Sequence, residues 1–182
     1  STGGLDSNAC SLLAPCRGFA AAVTVVAANG EVIVLDSGGY GSFVIAKSVS
    51  IVAPAGVYAG ISVFPGNDGV VVLAPSGVVT LKGLTINGQG GNAGINFLQG
   101  AELTVENCEI ANLGANTAGI FAHAPGGNSV GRDTTVRDTV YVGIWVRQEV
   151  SGQKTTLVAN NVAVTNASPW GIFVGGSSHV GT

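Results

Sequence analysis

The sequence predicts an all-β parallel β-helix, a solenoid of about six coils closed at its N-terminal end by an α-helix. Three observations predict it. A Gly-Ile phrase recurs as AGINFLQ, AGIFAHA, VGIWVRQ and WGIFVGG, with pairs at Gly94-Ile95, Gly119-Ile120, Gly143-Ile144 and Gly171-Ile172, in steps of 25, 24 and 28 residues. A second series, VTLKGLTING, LTVENCEIAN, TTVRDTVY and LVANNVAVTN, runs in phase with the first. Glycine makes up 29 of 182 residues with no Gly-X-Y period, which suits many tight turns between short strands.

Taken in chain order, residues 1–30 form a cap and 31–182 the solenoid, together one domain. APCRGFAAAVTVVAANG reads as a helix from about Pro15 to Ala28, with Pro in the first turn and Asn29-Gly30 as the stop. Phe19, Val23 and Val26 share one face of it and plug the first coil. From residue 31 the pattern alternates, one side chain in and the next out. A period near 25 residues is too long for a hairpin and lacks helical spacing. It fits a chain that winds once per repeat, each strand stacking on its counterpart about 4.8 Å away.

The two series align as Leu81, Val105, Val136 and Ala159, then Leu84, Cys108, Thr139 and Val162, then Ile86, Ile110, Tyr141 and Val164. An earlier pair, Gly60-Ile61, is read as one more member of the Gly-Ile row. Gly83, Asn107, Asp138 and Asn161 share a corner, and Gly, Asn and Asp are the residues that tolerate a left-handed backbone. Stacked Asn amides there can bond to one another. The last repeat ends in SSHVGT with no cap of its own. This end is expected to be open, either continued by more rod or covered by a partner.

Composition excludes several function classes. Charged residues are only 9% and hydrophobic ones 46%, so the chain folds. A net charge of -3 gives no basic stripe for nucleic acid. No apolar run reaches the roughly 20 residues of a membrane span. Cys10 and Cys16, in CSLLAPC, read as a disulfide closing a short loop, which implies export; two free thiols are the alternative. A metal site would want a further close ligand, and neither His123 nor His179 is near in sequence. Cys108 sits at an inward position and behaves as a small core hydrophobe. No cofactor is expected. GQGGNAG, residues 88–94, misses the Gly-x-Gly-x-x-Gly spacing and reads as a turn.

CSLLAPCRGFAAAV, GEVIVLDSGGYGSFVIAKSVSIVAP and VVTLKGLTINGQG together resemble bacterial right-handed parallel β-helix repeat proteins of the pectin-lyase-like superfamily, most of all a group with this same opening. The resemblance covers nearly the whole chain and implies a right-handed coil of three sheets. It implies no reaction, because such folds host lyases, hydrolases, adhesins and tailspikes. Of the motifs that polygalacturonase-like members carry (Asn-x-Asp, Asp-Asp, Gly-His-Gly, Arg-x-Lys), none is present. Pectate-lyase-like members need carboxylates gathered for calcium and an arginine base. Here Asp36, Asp68, Glu102, Glu106, Glu109, Asp133 and Asp138 are scattered, and Asp133 and Asp138 read as corner residues.

In each Gly-Ile strand Ile points inward and the next residue outward. The outward row is Ser62, Asn96, Phe121, Trp145 and Phe173; two residues on it is Phe64, Leu98, His123, Arg147 and Gly175. Three exposed aromatics in a column, at roughly 1.5–3 kcal/mol of forgone burial each, mark a face that meets something. A covering segment, a second rod and a glycan all fit. In the last case His123 and Arg147 orient the sugar. His123 reads as a surface histidine, since its evident neighbour is a cation. A further outward row, Lys82, Glu106, Arg137 and Asn160, reads as register-fixing charge pairs.

The expected function is a non-catalytic structural or interaction protein, secreted or at the cell surface or in a periplasm. It would self-associate through the aromatic face (Asn96, Phe121, His123, Trp145, Arg147, Phe173), the open C-terminal end, or both. The alternative is a carbohydrate-binding or polysaccharide-active β-helix using the same face.

Overall fold

Three parallel sheets of six strands wrap one apolar interior, in a computed structural model that describes residues 1–114, 117–150 and 152–176. The SSHVGT segment and His179 lie outside the described residues. The first sheet stacks β1 (Gly30–Ile33), β4 (Val49–Val52), β7 (Val78–Lys82), β10 (Glu102–Glu106), β13 (Asn128–Arg132) and β16 (Thr156–Asn160). The second stacks β2 (Gly38–Gly39), β5 (Ala59–Val63), β8 (Leu84–Gly88), β11 (Glu109–Ala111), β14 (Thr135–Thr139) and β17 (Ala163–Ala167). The third stacks β3 (Phe43–Ile45), β6 (Val70–Leu73), β9 (Ile95–Gln99), β12 (Ala118–Ala122), β15 (Val142–Gln148) and β18 (Trp170–Gly176).

Because every neighbour is one winding away, inward side chains form columns. In the third sheet Phe43, Val70, Ile95, Ile120, Ile144 and Ile172 stand in register. In the first, Ile51, Leu81 and Val105 do the same, and all three are buried. Burying each such side chain stabilises the fold by about 2 kcal/mol.

The repeated glycine has a steric cause. A Cβ on Gly69, Gly94, Gly119 or Gly143 would lie 2.5 to 2.7 Å from the carbonyl oxygen of the next glycine in the column. On Gly94, Gly119 and Gly143 it would also lie 2.3 to 2.6 Å from an inward Ile or Val methyl. At the corners Asn107, Asp133 and Asn161 take φ between 47° and 52°, with Gly83 at 73° in the same register. A second corner holds Asn112, Asp138 and Asn166, also at positive φ. Amides bridge the windings there: Asn112 Nδ2 donates to Asn87 Oδ1 at 2.7 Å, Asn161 to Asp133 at 2.7 Å and Asn166 to Asp138 at 3.0 Å. Asp133 and Asp138 are thus corner residues, as expected.

The cap helix α1 spans Phe19–Val25, shorter than the expected Pro15–Ala28. Pro15 lies outside it, its carbonyl accepting from Leu5 N–H and Asn8 Nδ2, and the chain turns extended at Val26. Phe19, Ala22 and Val23 are buried, and the Phe19 ring packs 4.8 Å from Phe43 and 5.2 Å from Tyr40. Asp6 Oδ1 takes the N–H groups of Arg17 and Gly18 at 2.9 and 2.8 Å, while Lys47 Nζ donates to the Val26 carbonyl at the other end. Cys10 and Cys16 form a disulfide, and Cys108 is a buried free thiol that burial pushes up to about 11. Asp36 anchors the first residues: it accepts from Tyr40 OH, Thr2 N–H and Ser1 Oγ, which hold it well below the usual carboxylate range.

Several rows differ in register from the sequence reading. Gly60-Ile61 belongs to the second sheet, where Ile61 pairs with Ile86. Its place in the Gly-Ile row is taken by Gly69-Val70, so Ser62 and Phe64 leave the aromatic face. Val136 pairs with Ile110, not Val105, and Thr134 stands beside Cys108 in place of Thr139. The charged row is therefore Lys82, Glu106, Arg132 and Asn160, and Arg137 belongs to the second sheet. The cause is β13, whose inward residues are Ser129 and Gly131 and which shows no apolar alternation. In the corner row Asp133 replaces Asp138 for the same reason.

Candidate functional site

Outward from the third sheet, consecutive windings place Val44, Val71, Asn96, Phe121, Trp145 and Phe173 in one column. The corner glycine turns inward, so the residue before it also faces out: Ala93, Ala118 and Val142 make a buried floor under Phe121, Trp145 and Phe173. Trp170, the counterpart of Val142, and the neighbouring Tyr141 complete the cluster. Ring centroids are 4.7 Å apart for Phe121 and Trp145, 6.0 Å for Trp145 and Phe173, 5.1 Å for Trp170 and Phe173 and 5.9 Å for Tyr141 and Trp145.

The row covers itself in part, contrary to the expected open column. Phe121 is only 8% exposed, because the His123 ring stacks on it at 4.0 Å and Trp145 lies beside it. Trp145 and Phe173 are half-buried and Trp170 is 42% exposed, so the accessible surface lies toward β18. Trp145 Nε1–H is buried with no acceptor among the described residues.

A polar strip runs beside the rings. Asp68 accepts from Ala93 N–H at 3.0 Å and from Asn96 Nδ2 at 2.7 Å. Asn96 Oδ1 is 2.9 Å from His123 Nε2, and His123 Nδ1 is 3.1 Å from Glu149 Oε1. Arg147 Nε lies 3.3 Å from the same Glu149 oxygen, with its guanidinium 5.7 Å from the Trp145 ring centre. Burial draws His123 below its ordinary pKa, and the Glu149 hydrogen bond and charge oppose that shift.

All six residues expected at this face, Asn96, Phe121, His123, Trp145, Arg147 and Phe173, are brought together. His123 is not a surface histidine beside a lone cation: its side chain is 13% exposed and a carboxylate meets it. Sequence reasoning missed Asp68, Tyr141, Glu149 and Trp170. Outward parity through Trp145 and Arg147 reaches Glu149 two residues on, so that signal was available. Trp170 was hidden by strict alternation, which places it inward, and Asp68 by the misassigned earlier coil.

Elsewhere several carboxylates are engaged, Glu109 and Asp138 by one arginine. Arg137 on the second sheet is clamped by Glu109 at 2.5 Å and Asp138 at 2.6 Å. The Glu109 hydrogen bond, first among several contacts, raises its pKa. Among the described residues no three His, Cys, Asp or Glu side chains gather as metal ligands, and no helix is long and apolar enough to cross a membrane.

Comparison with known proteins bears on the fold. A family model described as a right handed beta helix region matches residues 26–181. A solved rhamnogalacturonan lyase is similar in structure, with a TM-score of 0.54 at 15% identity over 97% of this chain and 61% of that one. The chain thus spans about three-fifths of that enzyme's length. Comparison with curated proteins gives no match.

Proposed function

Because the chain belongs to the right-handed β-helix family, whose architecture carries no one reaction, we propose a function from its site: non-catalytic binding of a polysaccharide chain along the third sheet. The observation that carries this reading is the cluster of Phe121, Tyr141, Trp145, Trp170 and Phe173 with His123, Arg147 and Asn96 at its edge. Sugar rings lie on aromatic faces and are oriented by polar groups at the rim. The half-exposed rings toward β18 supply the apolar surface.

Cleavage is not part of the proposal. A base needs an accessible lone pair with a suitable pKa. Both nitrogens of His123 face protein oxygens, and the two carboxylates beside Arg137 hold it protonated. The similar solved structure is a lyase of rhamnogalacturonan, which fits an association of this fold with polysaccharide and goes no further. The disulfide supports a secreted, periplasmic or cell-surface location.

An array of neutral and acidic polysaccharides tests the reading. Labelled protein is expected to bind a subset, and Trp145→Ala to lose that signal with the β-sheet circular dichroism unchanged. No binding on any sugar, or binding undiminished in the variant, removes it. A second reading uses the same rings, of which Trp170 is 42% exposed, to pack against a second copy of the chain. Light scattering at rising concentration would show a dimer, and a constant monomer mass would dismiss it.

A further inference from the structure

The polar strip has a proton count that decides its geometry. Asp68 presents only lone pairs when ionised, so the amide nitrogen of Asn96 must face it. The Asn96 carbonyl oxygen then faces His123 Nε2 at 2.9 Å. A carbonyl cannot donate, so Nε2 carries a proton. A neutral imidazole has just one. Its Nδ1 would be a bare lone pair 3.1 Å from Glu149 Oε1. The same oxygen faces the Arg147 Nε–H at 3.3 Å, so it stands toward both neighbours as an acceptor. Two acceptors this close repel, so the contact forms only when His123 holds a second proton on Nδ1.

We propose that His123 and Glu149 form an acid-closed latch on the aromatic face, a regulation of the site that rests on the polysaccharide-binding reading above. Closed, Glu149 joins the imidazolium on Phe121 to the Arg147 guanidinium near Trp145, and so holds Arg147 over the rings. Open, Glu149 loses its hold on the neutral ring, and Arg147 is free to move off Trp145. The charged groups that face His123 are Asp68 from the turn before β6 and Arg147 and Glu149 from β15 and its end. Burial opposes the second proton and Arg147 does too, while Glu149 and Asp68 favour it. Burial prevails, so the latch closes below the ordinary histidine range near 6.5 and opens as pH rises. The 3.1 Å contact between His123 Nδ1 and Glu149 Oε1 corresponds to the closed form. Sugar affinity should therefore be higher at neutral than at acid pH, by about fivefold or more, the usual floor for coupled sites.

Two variants separate the states. In Glu149→Gln the amide donates to the bare Nδ1 of the neutral ring, so the latch stays closed at every pH. In Glu149→Ala it cannot close. Nitrogen-15 NMR of the imidazole, without sugar and with His179→Gln to assign the signals, reads the latch directly. At neutral pH His123 is expected to carry its proton on Nε2, and on acidification to gain one on Nδ1 at a pKa that Glu149→Ala lowers. A neutral ring protonated on Nδ1, or a titration indifferent to Glu149→Ala, overturns the latch whatever the sugar result. Fluorescence titration with an array-positive polysaccharide then tests the coupling. Glu149→Ala should bind alike at pH 5 and 7.5, and Glu149→Gln weakly at both. Equal pH dependence in the wild type and both variants also overturns it. If no sugar binds but the NMR result holds, the binding reading fails and the proton-driven contact stands.

Discussion

The outer faces of the first and third sheets are built by the same stacking rule and carry opposite contents. On the first, Lys82, Glu106, Arg132 and Asn160 stand in register, with Lys82 Nζ 2.8 Å from Glu106 Oε1. Each charge there is solvated, and its neighbour contributes little beyond fixing register. On the third, the same positions hold Asn96, Phe121, Trp145 and Phe173. These side chains gather a second shell of their own, with Trp170 and Tyr141 closing over them. The difference teaches that parallel stacking is indifferent to what it repeats. An outward column left polar is a seam, while one filled with aromatics becomes a satellite core with a partly open surface.

The largest effect that could break this contrast lies under the aromatic face. Gly119→Ala puts a Cβ 2.3 Å from Val136 Cγ1 and 2.7 Å from the Gly143 carbonyl oxygen. It should cost about 3 kcal/mol in urea unfolding, in the range for overpacked cores. Next, Trp145→Ala removes the hub of the rings and should cost about 2 kcal/mol, less than a fully buried tryptophan because the side chain is half-exposed. A cost near zero would mean the rings do not pack on one another. Under the first sheet, Ser129 is buried with its hydroxyl unpaired among the described residues. Ser129→Ala should stabilise by about 1 kcal/mol by removing that orphan group. The smallest effect is on the charged seam. A double-mutant cycle of Lys82→Ala and Glu106→Ala should give about 0.3 kcal/mol, lost in high salt. A coupling above 1 kcal/mol would show that the two faces are less different than they look.

Much of this contrast was legible because a solenoid writes its register into the sequence. Gly-Ile recurring at steps of 24 to 28 residues gave four windings of the third sheet, and outward parity gave Phe121, Trp145 and Phe173. What escaped has physical causes. β13 turns Ser129 and Gly131 inward, so it carries no apolar signal, and the neighbouring TVRD stretch took its place. Gly60-Ile61 imitates the third-sheet phrase while lying in the second, and the true member, Gly69-Val70, differs from Gly-Ile by one methylene. Burial of Phe121 by His123 and the meeting of His123 with Glu149 depend on side-chain directions across windings. Those follow from register, and the acid at residue 149 follows from parity, but their hydrogen bonds do not.

Both tryptophans of the chain, Trp145 and Trp170, stand in the aromatic cluster, so tryptophan emission reports on that face alone. Titrating the protein at pH 7.5 with neutral and acidic polysaccharides should give a saturable change in emission for at least one of them, abolished by Phe173→Ala. A flat trace across the whole set, from folded protein, would contradict the assignment of this face to sugar binding.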